Sequence, residues 1–209
     1  MAQFFTIHPA NPNLRLIRQA AAMLRDGAVI VYPTDSGYAL GCHLDDKDAV
    51  TRIRQIRKLD EHHHLTLVCR DLSEISRYAR VDNSQFRLLK SNTPGSYTFI
   101  LEATKEVPRR LQHPKRSTIG IRIPDHPVAL ALLEELGEPI LSSTLIFPDD
   151  ELPPADVGLI RELLEKQVEL VIDGGPVGID FTTVIDLTGG APVLVRRGKG
   201  DIAPFGLEQ

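Results

Sequence analysis

Short hydroxyl, carboxylate and guanidinium side chains gather in four segments of this chain, each at the end of an apolar run. The first is Pro33-Thr34-Asp35-Ser36-Gly37-Tyr38, directly after the β-branched run 28–32. Pro33 has no N–H to give a neighbouring strand, and Gly37 accepts backbone conformations that other residues resist. Thr34, Asp35 and Ser36 are thereby presented on a rigid turn, free either to meet a ligand or to satisfy the turn's own backbone. The second segment is Thr93-Pro94-Gly95-Ser96-Tyr97-Thr98 and the third Ile119-Gly120-Ile121-Arg122-Ile123-Pro124. In the third, Arg122 interrupts an apolar strand and shares a face with Gly120, whose lack of a side chain leaves it room. The fourth is Asp180-Phe181-Thr182-Thr183-Val184-Ile185-Asp186, followed by Arg196-Arg197-Gly198. Strand ends are where α/β proteins bind their ligands.

The elements that must hold these segments alternate along the chain. Leu14, Ile17, Ala21 and Leu24 recur at helical spacing and Gly27 stops the helix. The run 28–32 has the composition of a strand buried on both faces. A second helix is predicted over 46–58, with Ala49, Val50, Ile53 and Ile56 inward. Arg57 lies four residues from Ile53 and so close to that inner face, where a guanidinium needs a carboxylate or phosphate partner; Arg54 and Lys58 fall on the outer face. Further strands are predicted at 65–69, 97–102, 118–122, 139–143, 168–172, 182–187 and 193–196. A third helix is capped by Asp125 and ended by Gly137, and 147–156 is a surface excursion. No repeat or linker divides the chain, so residues 1–209 are expected to form one mixed α/β domain.

Hydrophobic residues make up 42% and charged residues 25% of the 209 residues, the balance of a globular core. A net charge of −4, from 24 Lys and Arg against 28 Asp and Glu, argues against coating nucleic acid through global charge. Cys42 and Cys69 sit in apolar contexts and read as buried strand positions rather than a disulfide framework. There is no 18-residue apolar stretch and no secretory leader, so a cytoplasmic protein with no membrane span is expected. No phosphate-loop, dinucleotide-binding or nucleophile-elbow motif is present. The run His62-His63-His64 lacks ligand spacing for a metal and reads as a solvated loop.

In order, PTDSGYALG, PGSYTFIL, TIGIRIPDHPVALALLEELGEPIL, TTVIDLTGG and RRG resemble the YrdC/YciO-like family of threonylcarbamoyl-AMP synthases, and the YciO branch in particular. The similarity spans about residues 3–205. It implies a single-domain twisted open mixed sheet with helices on its faces, a YrdC/RibB-like fold enclosing a basic cavity. The synthases condense L-threonine, bicarbonate and ATP, with Mg²⁺ where ATP is used, into the donor for a tRNA adenosine modification. By resemblance, Thr34, Arg122 and Ser143 are substrate-binding residues, with Arg122 expected to meet a threonine carboxylate. Arg57, Lys58, Thr98, Thr144, Thr182 and Arg196 fall at nucleotide-binding positions.

Two departures stand out. Where the synthases carry Lys-x-Arg-Pro, this chain reads Arg57-Lys58-Leu59-Asp60; where they carry Ser-Ala-Asn, it reads Thr144-Leu145-Ile146. Each lost polar contact at a desolvated site costs several kcal/mol, and about 1.4 kcal/mol is tenfold in rate. Two readings follow. One is a divergent enzyme of the nucleotidyltransferase or adenylate-processing kind, binding a nucleotide and a threonine-like molecule. The other is a non-catalytic binder of double-stranded RNA, tRNA or rRNA, with Arg109, Arg110, Lys115 and Arg116 as RNA-binding residues in a basic cluster that also takes in Arg52, Arg54, Arg57, Lys58, Arg196, Arg197 and Lys199.

Overall fold

The computed structural model describes residues 1–208. In chain order the strands are β1 (Gln3–Thr6), β2 (Ile30–Pro33), β3 (Tyr38–His43), β4 (Thr66–Val68), β5 (Tyr97–Glu102), β6 (Thr118–Arg122), β7 (Ile140–Thr144), β8 (Leu170–Asp173), β9 (Thr183–Asp186) and β10 (Val193–Arg196). The helices are α1 (Leu14–Arg25), α2 (Lys47–Arg57), α3 (Leu72–Tyr78), α4 (Asn83–Asn92), α5 (Pro127–Leu136) and α6 (Val157–Leu164). All ten strands form one mixed sheet in the order β1-β8-β2-β3-β7-β4-β6-β5-β9-β10.

Strands β5, β6 and β10 lie where the sequence places them, and the other expected strands and helices differ by a residue or two at their ends. Helix α5 is capped by His126 rather than Asp125: its ring Nδ1 accepts from the Val128 N–H. Pro127 at the first helical position accounts for this, because proline fits there and drives the residue before it into extended backbone. Strands β1 and β3 and helices α3, α4 and α6 add to the sequence reading. Helix α4 is polar, yet Asp82 and Gln85 close a reciprocal capping box at its start.

The core lies in two clusters on opposite faces of the sheet, as the alternation of β2 requires. Val29 and Val31 join one cluster with Ile53 of α2, Ile75 of α3, Leu89 of α4 and Ile160 of α6. Ile30 and Tyr32 join the other with Ile17 and Leu24 of α1 and Val128 and Leu132 of α5. The first face is thus covered by four helices. On the second, α1 and α5 pack on each other and on the β2 and β8 side of the sheet, with Ile30, Leu170 and Ile172 beneath them. The same face of β7, β4, β6, β5 and β9 carries a different row of side chains: Ser142, Thr66, Gly120, Thr98 and Val184. Those residues floor a cavity.

Gly41 of β3 sits where β2 and β7 converge. A Cβ there would lie 2.7 Å from Cγ2 of Ile140 and 2.8 Å from a ring carbon of the fully buried Tyr32. Gly41→Ala is expected to destabilise the protein by about 1–3 kcal/mol. The change should show as a lower urea midpoint with an unchanged slope.

Candidate functional site

The turn after β2 commits its Thr34 hydroxyl to its own backbone, and its Ser36 hydroxyl and Asp35 carboxylate to a distant arginine. Thr34 Oγ1 donates to the Gly37 carbonyl (2.6 Å) and accepts from the Ser36 N–H (3.2 Å). Gly37, at φ +142°, supplies a conformation that a side chain would strain. The Asp35 carboxylate leaves the turn: one oxygen accepts from Arg122 and the other from Ser96 Oγ at 2.6 Å. Arg122 also donates to Ser36 Oγ (3.0 Å), and Lys199 Nζ donates to the Asp35 carbonyl (2.8 Å). Arg122 and Asp35 have side chains 8% and 10% exposed, so each charge depends on the other. Arg122, expected to meet the carboxylate of a threonine ligand, is here paired with that of Asp35 within the chain, and its Nε is buried without a partner among the described residues.

Arg57, at the end of α2, points inward as its helical position demands. It donates to Ser143 Oγ (2.6 Å) and to the Thr144 carbonyl, and its Nε is a second buried donor without a partner. No carboxylate pairs with it among the described residues. Burial holds its guanidinium below the ordinary value, the direction expected of a cation without a counter-ion. Thr98 and Thr182 share a hydrogen bond of 2.9 Å. Arg196 donates to the Thr182 carbonyl (3.0 Å) and hydroxyl (3.1 Å), and its guanidinium lies 5.1 Å from the centre of the Phe181 ring.

These side chains surround one cavity of about 520 Å³. Thr34, Arg57, Thr98, Arg122, Ser143, Thr144, Thr182 and Arg196 all line it. Four arginines (57, 116, 122 and 196) and four histidines (62, 63, 64 and 113) stand in its wall, and no Asp or Glu does among the described residues. The cavity is basic although the chain is acidic overall. On the far side of the Thr34–Asp35 turn lies a second depression, lined by Asp35, Asp125 and Asp201 with His126 and Lys199.

Several residues lie elsewhere than the sequence suggested. Lys58 is exposed, caps α2 in a left-handed conformation (φ 49°) and does not line the cavity. Of the residues assigned to an RNA-binding surface, Arg116 is in the cavity wall, with its guanidinium donating to Asp186 (2.6 Å) and Thr188 (2.8 Å). Arg109, Arg110 and Lys115 are exposed, Arg110 donating to the Leu44 carbonyl (2.8 Å). Arg54 is no plain solvated charge, since it donates to the carbonyls of Asp60 and His63. His62, His63 and His64 are exposed as expected but also line the cavity. No cluster of three or more potential His, Cys, Asp or Glu metal ligands occurs among the described residues. No described helix is long and apolar enough to cross a membrane.

Residues 22–198 match the Sua5/YciO/YrdC family model, described as "Telomere recombination". The chain belongs to this family. YciO of Escherichia coli K12 is 60% identical over 205 residues, covering 98% of this chain and all of that one. The crystal structure of E. coli YciO superposes with a TM-score of 0.94 over the same shares. The threonylcarbamoyl-AMP synthase of Bacillus subtilis is 31% identical over 87% of this chain and 53% of its own length. Sua5 of Pyrococcus abyssi, in a crystal structure with L-threonine, is 28% identical with a TM-score of 0.86, over 94% of this chain and 58% of Sua5.

Against the synthase branch of the Sua5/YciO/YrdC family, the two departures have clear structural outcomes. Leu59 packs against the core, Leu145 is fully buried within it, and Ile146 is on the cavity wall. Sequence reasoning did not pick out Tyr32, Thr66, Ser142 or His113 as wall residues. Alternation from Thr98 and Arg122 would have found Ile100 and Thr118, but Thr66 joins them through the pairing of β4 with β6, which no local pattern encodes.

Removing Asp35 leaves a buried guanidinium uncompensated. Asp35→Ala is expected to cost about 3–5 kcal/mol in urea unfolding, and adding Arg122→Met to recover much of that loss. A single variant as stable as the parent would show that solvent already screens the pair.

Proposed function

We propose that the protein is a divergent relative of the threonylcarbamoyl-AMP synthases that binds an adenylate-type nucleotide and a threonine-like molecule in the basic cavity. The carrying observation is a wall with four arginines and no carboxylate, in which Arg57 has neither a counter-ion among the described residues nor a partner for its Nε. Buried donors without acceptors are rare in folded proteins and recur at functional sites. A ligand phosphate would supply the missing acceptor, and guanidinium groups match its geometry. The threonylcarbamoyl-AMP synthase of B. subtilis and the threonine bound to P. abyssi Sua5 support the choice of ligands.

The chemistry of such a site follows from charge. Attack of a carbamate oxygen on an α-phosphorus builds negative charge on the non-bridging oxygens and on departing pyrophosphate, which Arg57 and Arg196, the wall arginines without a carboxylate partner among the described residues, are placed to meet. The cavity wall offers no carboxylate to a metal, so any Mg²⁺ would be held by the nucleotide's own phosphates. Leu145 in the core and Ile146 on the wall remove polar contacts to the nucleotide, so the amino-acid end of the cavity is retained more fully than its nucleotide end. This reading places the protein near tRNA or rRNA metabolism through the donor its relatives make. A surface for duplex RNA receives less support, because the exposed Arg110 and half-exposed Arg116 already donate to acceptors of the protein itself, the Leu44 carbonyl and the Asp186 carboxylate.

Thermal unfolding with ATP, AMP and threonylcarbamoyl-AMP tests the proposal. A ligand at a hundred times its dissociation constant adds about 2.7 kcal/mol, a clear rise in Tm. Arg57→Met should weaken adenylate binding about ten- to a hundredfold, the worth of a hydrogen bond to a charged group. Absence of stabilisation by all three, with no pyrophosphate released from ATP, threonine and bicarbonate, would overturn it.

A further inference from the structure

The loop after α2 replaces a cation with imidazoles. Leu59 occupies the position where the synthases carry an arginine, and it packs into the core. The next residues bring His62, His63 and His64 to the cavity wall. His113 reaches the same wall from the segment between β5 and β6, and its ring stacks on that of His64 with centroids 4.9 Å apart. The loop is held by its own neighbours: Arg54 donates to the carbonyls of Asp60 (2.9 Å) and His63 (2.7 Å), and Asp60 accepts the His62 N–H (2.8 Å). None of the four imidazoles forms an ion pair among the described residues.

We propose that His62, His63, His64 and His113 form the phosphate subsite of this cavity, standing in for the arginine lost at Leu59, so that a phosphate-bearing ligand binds together with a proton. The proposal rests on the nucleotide reading above and names the end of the ligand these residues hold. An imidazole can accept that proton near neutral pH, whereas an arginine is charged already.

The electrostatics of the loop give the direction. Burial, followed by Arg57 and Arg54, holds His63 below the ordinary imidazole value, with Asp60 opposing and His64 adding to the effect. Burial, followed by His113, Arg54 and His62, does the same for His64. Arg116 faces the same space from the wall. His63 and His64 are therefore disfavoured as cations in the free site, first by burial and then by repulsion from the surrounding cations. A phosphate dianion reverses that repulsion and raises the affinity of the rings for protons, so affinity rises as pH falls. Stacked rings 4.9 Å apart resist double protonation, and an anion at their edges removes that penalty.

Calorimetric titration of the intact protein with ATP and with inorganic pyrophosphate, between pH 6 and pH 8 in buffers of different ionisation enthalpy, reads the coupled protons directly. The parent should take up protons on binding and lose about tenfold in affinity per pH unit for each one linked. His63→Gln with His64→Gln, and separately His113→Gln, should weaken pyrophosphate binding and flatten the pH slope, leaving L-threonine binding unchanged. The ligands' own titration is common to parent and variants and cancels in the comparison. If the parent binds both anions but the variants keep its affinity and slope, the subsite is overturned and the nucleotide reading stands. If the parent binds neither anion at any pH, both fail.

Discussion

A guanidinium removed from water must be held by an acceptor, and in this protein the demand of Arg122 organises the site. Asp35 answers it from the turn after β2, reaching a residue at the far end of β6. Ser36 and Ser96 complete the shell, and Lys199 fastens the Asp35 carbonyl from the C-terminal segment. One buried pair thereby binds the turn, the start of β5, the end of β6 and the segment after β10. The first three polar segments meet at this pair, and the fourth is brought alongside by the pairing of β9 with β5. A buried pair of this kind contributes little net stability, but breaking it is costly, so its worth lies in fixing geometry.

With Asp35 spent on Arg122 and Asp186 on Arg116, no acidic side chain pairs with Arg57 or Arg196 among the described residues. They rest on hydroxyls and carbonyls, which satisfy hydrogen-bonding capacity without neutralising charge. The sheet provides the space: α1 and α5 cover only one side of their face, and the small or hydroxylic side chains of Ser142, Thr66, Gly120 and Thr98 keep the rest of it open. A basic chamber on an acidic protein is the result, confined to one surface and invisible in the net charge.

Much of this was legible in the sequence where local chemistry is decisive. Strands β5 and β6 follow from β-branched alternation, Gly137 ends α5, and the inward aim of Arg57 follows from its spacing to Ile53. The family motifs located most of the cavity wall. What escaped depends on partners distant in the chain. Whether Asp35 serves its turn or a remote arginine is fixed by the register that brings Arg122 beside it, and His113 meets His64 only after two loops fold over one another. Lys58 shows the limit of motif matching, since a left-handed cap turned it away from the cavity. Helix α4 was overlooked for its polarity, although its capping box was written at Asp82 and Gln85.

The strand order carries a kinetic meaning. Neighbours in the sheet come from far apart in sequence: β1 pairs with β8, β3 with β7 and β5 with β9. Such non-local closures must all be made before they reward one another, which makes folding of this topology slow relative to helical proteins. The cavity wall draws on residues from Tyr32 to Arg196, so no early fragment of the chain contains it. A newly synthesised molecule gains its pocket only when the last strands dock. Occupancy of the cavity is then a test of completed folding, and a molecule that fills it withdraws only finished chains from the pool still open to proteolysis.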